Sequence, residues 1–136
     1  MNIVKRLPLL TASLLIMGCG GTTTIISNKT NSFGAVTSFS SNGIVNSFKK
    51  CDGTIIYRIN VKEERDPTIY CDITVNSGSL KLTLISMSDE AGEYISFTES
   101  QKFEFGVGES GNYKIQIEHN GFAGSYKIKW NQKLNS

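Results

Sequence analysis

Short runs of alternating apolar and polar residues fill the chain from Val36 onward, and a period of two decides its fold class. The cleanest run sets Tyr113, Ile115 and Ile117 against Lys114, Gln116 and Glu118. Another sets Tyr126, Ile128 and Trp130 against Lys127 and Lys129. Successive side chains of a strand point to opposite faces, so each run offers one face to a core and one to water. A wet second face favours antiparallel pairing over a buried parallel sheet. No segment carries a helical period. Composition agrees: Ala occurs four times, and five of the nine Leu fall within the first 15 residues. Beyond residue 19 the β-branched and aromatic residues dominate, together with Ser and Gly.

Turn signals separate the runs. Val36–Ser40 and Ile44–Phe48 flank Ser41-Asn42-Gly43, which suits a tight hairpin turn. Thr54–Val61 and Thr68–Asn76 follow, then Leu80–Met87, Tyr94–Thr98 and Lys102–Val107. Ser77-Gly78, Gly108–Asn112 and Asn120-Gly121 read as turns. A length of 136 residues supports one domain of ordinary size. The expectation is an all-β chain: a single antiparallel, jelly-roll-like β-sandwich of eight or nine short strands over residues 32–136. Residues 19–31, small and polar apart from Ile25 and Ile26, read as a tether with room for a short edge strand at that apolar pair.

The first eighteen residues differ from the rest. Met1–Arg6 is a short basic start, and Leu7–Met17 is an eleven-residue, mostly apolar run. As a helix that run rises only about 16 Å, roughly half a bilayer core, so it is too short to span. Basic, apolar and small segments in that order read as a secretory signal over residues 1–18. Ile16-Met17-Gly18-Cys19 resembles the lipobox of bacterial lipoproteins. The resemblance implies a diacylglyceryl group on the Cys19 thiol, cleavage before Cys19, and a lipid-anchored extracytoplasmic protein on the cell or outer membrane. Two acyl chains hold a membrane stably where one binds only marginally. Removal of Lys5 and Arg6 leaves 12 basic and 12 acidic side chains in 118 residues. A neutral chain of that kind has no basic patch for nucleic acid.

With Cys19 assigned to lipid, Cys51 and Cys71 form a candidate disulfide in an exported chain. Cys71 shares inward parity with Ile69 and Ile73, and Cys51 shares that of Ile55 and Tyr57. A simple hairpin would place Cys71 opposite Arg58, so the bridge is expected between sheets or from a strand to a flanking loop. Closing that loop would contribute about 3 kcal/mol in the chain-entropy model.

The run Gly111–Ile117, followed by Gly124–Trp130, is similar to the last two strands of jelly-roll domains in secreted bacterial proteins. The pre-peptidase C-terminal type and small Gram-positive lipoproteins belong to that group. The resemblance implies a jelly-roll sandwich. The middle strand reads Lys81-Leu82-Thr83-Leu84-Ile85, without the paired acidic residues of that family, and so gives no basis for its calcium site.

Catalytic signatures are missing from the sequence. His119 is the single histidine and reads as an exposed turn residue beside Asn120-Gly121. No nucleophile elbow, calcium-loop spacing or phosphate loop occurs. Glu63, Glu64 and Asp66 read as a solvated turn neutralised by Lys62 and Arg65. No cofactor or metal is expected. Among the aromatics, Trp130 has core parity, while Tyr70 faces outward and Tyr94 borders a loop. Those two tyrosines are the candidate ligand-binding residues. Two function classes follow. One is a non-catalytic module that binds or scaffolds a surface protein or an envelope glycan, with a carbohydrate-binding module as the sharper alternative. The other is a small hydrolase assembled from His119, Asp72 and Ser125.

Overall fold

The computed structural model describes residues 23–132 apart from Glu64 and Asp89. Cys19, the signal segment and the start of the tether lie outside these residues. Seven antiparallel strands carry the fold: β1 Thr24–Phe33, β2 Val36–Ser40, β3 Gly43–Val61, β4 Thr68–Ser86, β5 Gly92–Phe97, β6 Gln101–Gly106 and β7 Gly111–Lys129. The chain is a jelly-roll-like β-sandwich. Among the described residues seven strands stand where eight or nine short ones were expected, because β3, β4 and β7 each run for 19 residues. Each of the three belongs to both layers of the sandwich.

The register shows how. In the first layer the order is β1, the second half of β3, the first half of β7, the second half of β4, then β5. In the second it is β2, the first half of β3, the second half of β7, the first half of β4, then β6. The long strands change layer at register shifts: Phe48–Gly53 in β3, Val75–Ser79 in β4 and the facing Asn120–Gly124 in β7. Bulges that turn a strand through a corner are a known way for one strand to serve two sheets. Gly78 and Gly124 make this corner closable. Their φ values of +75° and +153° suit glycine. A Cβ at Gly78 would overlap the carbonyl oxygen of Gly121, and one at Gly124 that of Thr74.

Alternation then fills the space between layers. Ile55, Tyr57 and Ile59 of the first layer and Ile44, Ile73 and Ile128 of the second are at most 2% exposed. Contacts across the gap confirm the facing: the Phe97 and Phe103 rings of β5 and β6 meet edge-to-face at 6.4 Å. Trp130 is fully buried and donates its indole N–H to the Ser41 carbonyl at 3.0 Å. The hairpin at Ser41-Asn42 forms with Ser40 opposite Gly43. Thr24 to Asn31, within the segment read as tether, pair along β3 as part of edge strand β1.

The expected disulfide is absent: Cys51 and Cys71 are both buried free thiols. Strand order explains it. β7 lies between β3 and β4, which separates the two strands by about 10 Å. Cys51 is opposite Phe122 while Cys71 is opposite Ile128, further along β7. A disulfide needs Cα atoms within roughly 7 Å. Burial pushes both thiols up, Cys51 to about 11 with help from the Asp52 charge, and Cys71 to about 12.

Candidate functional site

The outer face of the second layer holds a groove of about 490 Å³. Register builds it. Because Ile69, Cys71 and Ile73 point into the core, Tyr70 and Asp72 must point out. Glu104, Tyr70 and Lys129 form one cross-strand row, and Lys102, Asp72 and Lys127 the next. Half-buried Tyr70 is the only aromatic in these two rows, and the other five side chains are exposed. Asp72 has a lysine on each side, and Tyr70 lies between a carboxylate and an ammonium. None of the six side chains makes an ion pair or hydrogen bond among the described residues, so their polar groups are left to solvent or a ligand.

The face continues toward β2 and loses its charge. Val45 pairs with Lys127 and Ser38, and Gly43 with Lys129 and Ser40. A second hollow of about 270 Å³ opens there and shares Lys129 with the groove. Together they form one track across the sheet, charged at the β4–β6 end and neutral at the β2 end.

Tyr94 is elsewhere. It lies on the outer face of the first layer, 66% exposed, opposite Thr83. The Lys81 ammonium sits 4.4 Å from its ring centroid, a cation–π contact. Tyr70 and Tyr94 therefore face opposite sides of the sandwich and cannot share one small ligand.

His119 is not an exposed turn residue. It is 5% exposed, because the Asn120-Gly121 corner continues β7 and turns the imidazole inward. Its Nδ1 lies 2.8 Å from the Gly53 carbonyl and its Nε2 3.0 Å from the Tyr126 hydroxyl. A carbonyl only accepts, so Nδ1 carries the hydrogen and Nε2 accepts from Tyr126. The Tyr126 and Tyr57 hydroxyl oxygens both accept from Asn46 Nδ2, at 2.9 and 3.0 Å. Burial lowers the His119 pKa from 6.5, partly opposed by the Gly53 bond and by Asp52. This neutral cluster joins the two layers. It also separates the three residues of the hydrolase reading: Asp72 and Ser125 lie on strand positions that face away from the core, whereas His119 faces into it.

Glu63 also departs from the expected solvated turn. It is 2% exposed, and its Oε1 accepts from the Thr68 backbone N–H at 3.3 Å, pinning the connection between β3 and β4. Among the described residues no group of three or more His, Cys, Asp or Glu is placed to hold a metal ion.

Sequence reading named Tyr70 as a candidate ligand residue and Asp72 only as part of the hydrolase, and it did not place Lys102, Glu104, Lys127 or Lys129 beside them. Alternation puts all of them on outer faces, yet only the non-local register brings them together.

No protein-family model matches the chain, and no curated protein matches it. Among solved structures, a family 29 carbohydrate-binding module variant complexed with mannohexaose is similar at a TM-score of 0.41 and 14% identity. The similarity covers 80% of this chain and 88% of that one. Another family 29 module gives 0.41 and 13%, over 80% and 85% of the two chains. Overlap this loose says nothing of a ligand, which the residues of this chain must decide.

Proposed function

We propose that this protein is a non-catalytic carbohydrate-binding module whose ligand lies along the outer face of the second layer. The observation that carries the reading is the groove itself, with one half-buried tyrosine among five charged side chains that have no partner within the described residues. A sugar ring has an apolar C–H face and a rim of hydroxyls that both donate and accept. Tyr70 offers a flat apolar surface to the first. Asp72 and Glu104 accept from the second, and Lys102, Lys127 and Lys129 donate to it. The groove's volume is of the size that ligand sites have. The two adjoining hollows share Lys129, and together they are long enough to take more than one sugar unit.

Asp72 and Glu104 occupy different rows and strands with lysines beside them, an arrangement that suits holding a ligand. We further propose, from Ile16-Met17-Gly18-Cys19 and the apolar run before it, that the module works outside the cytoplasm, held through lipid on Cys19. Mass spectrometry of the membrane fraction is expected to find a mature N-terminal peptide that starts at lipid-modified Cys19. An unmodified N-terminus at another residue would remove the anchor and leave the groove proposal standing.

A glycan array followed by calorimetry tests the module. Binding should appear on at least one polysaccharide class, and Tyr70→Ala should weaken it at least about tenfold, near 1.4 kcal/mol. Tyr94→Ala should leave it unchanged. Binding that survives Tyr70→Ala, or that fails with Tyr94→Ala, would place the ligand elsewhere.

A further inference from the structure

The two rims of the sandwich differ in charge. From Thr30 to Phe48 the chain has no charged residue, and this stretch forms the end of β1, all of β2 and the start of β3. The opposite rim carries Glu93 on β5, Glu99 in the turn, and Lys102 and Glu104 on β6. Monomeric proteins usually blunt free edges with charge, proline or bulges. β2 has none of these. Among the described residues it pairs only with β3, in regular register from Val36 to Ser40, and every residue in it is exposed. Large apolar side chains lie in and beside it: Val36 is 70% exposed, Phe33 68%, Phe39 44% and Val45 43%, with the Lys49 ammonium 5.8 Å from the Phe33 ring.

From this edge we infer that two copies of the chain associate through β2, strand against strand, as a two-fold dimer. Charge selects the occupant. An isologous contact sets a surface against itself, so any charge near the axis meets its own like. The uncharged stretch is the part of the surface that meets this condition, and the β5–β6 rim is not. Antiparallel pairing centred on Ser38 sets Ser38 opposite the partner's Ser38, and Val36 opposite the partner's Ser40. Cross-strand neighbours share a face. The second layers of both copies then form one continuous sheet with both grooves on the same side. The two Tyr70 side chains would lie seven strand spacings apart, roughly 34 Å. A long polymer could engage both. The pairing itself rests on the edge and does not depend on what the groove binds.

Sedimentation equilibrium of the full chain in mild detergent tests the inference, with the detergent contribution matched out. Wild type should sediment at twice the chain mass. Ser38→Lys and Ser38→Glu should each weaken association at least about tenfold, because like charges then face each other across the axis. Mixing the two variants should restore the dimer, a rescue that misfolded chains cannot give. Ser96→Lys on the β5 rim should leave the dimer intact. A wild-type monomer at every concentration overturns the proposal. So does a dimer that ignores both Ser38 variants. A monomer that instead binds bare lipid vesicles through Phe33 and Val36 would assign the edge to a bilayer.

Discussion

At the scale of single residues, the fold depends on polar groups that alternation cannot see. Asn46, Tyr57, Tyr126 and His119 form a hydrogen-bonded cluster in the middle of the core, with Asn46 fully buried. Protonating His119 would put a second donor against a hydroxyl whose oxygen already accepts from Asn46. The sign follows. With the folded pKa lowered below 6.5, the unfolded chain binds the proton first. The stabilisation is complete above that value and is lost as pH falls below it, through the folded pKa. Urea midpoints at several values between pH 5 and 8 should therefore fall with acid. His119→Gln should flatten the trend, and a slope unchanged by that variant would refute the assignment. The thiols act at the other end. Raised to about 11 and about 12 from 9.0, Cys51 and Cys71 contribute stability that is present below pH 9 and lost as pH rises through those values. In a Cys19→Ala chain, a thiol reagent near pH 8 should label nothing native and two thiols after unfolding. No labelling after unfolding would restore the disulfide. Inward parity of both cysteines was readable from sequence. Their separation was not, because it depends on which strand lies between them.

At the scale of elements, glycine was legible as a break in the pattern but ambiguous as to what kind. Ser41-Asn42-Gly43 ends one strand and starts another, as its dipeptide suggests. Ser77-Gly78 and Asn120-Gly121 look similar in sequence yet end nothing; they bend β4 and β7 from one layer into the other. The distinction is tertiary. At these corners the backbones of β4 and β7 come into direct contact, and Gly78 and Gly124 each face a carbonyl of the other strand. Gly124→Val should destabilise by about 3 kcal/mol or more, combining steric overlap with a φ that branched residues avoid. Gly108→Ala is the matched control. It also has a positive φ, +80°, but open space around it, and should lose only about 1 kcal/mol. Denaturant midpoints that shift equally for the two would show that the close approach does not matter.

At the scale of the whole molecule, the three long strands make the two layers inseparable. Neither layer can unfold without breaking β3, β4 and β7, so one cooperative transition is expected. Fluorescence of Trp130, buried at the end of β7, should report the same midpoint as far-ultraviolet circular dichroism. An all-β sandwich was legible because alternation is local. The groove was only half legible, since Tyr70 and Asp72 are neighbours in sequence while Lys102 and Lys127 reach them through pairing across the sheet. That pairing also sets the pace of folding. Gly43 meets Lys129, 86 positions away, and Cys71 meets Phe103 and Ile128 on its two sides. Sheets with partners so distant form in milliseconds to seconds, because loop closure precedes the contacts that reward it. β7, the strand that every other long strand pairs with, is made after the other six described strands. Until it arrives the rest of the sandwich has no centre, so neither layer can close before the whole of β7 has left the ribosome.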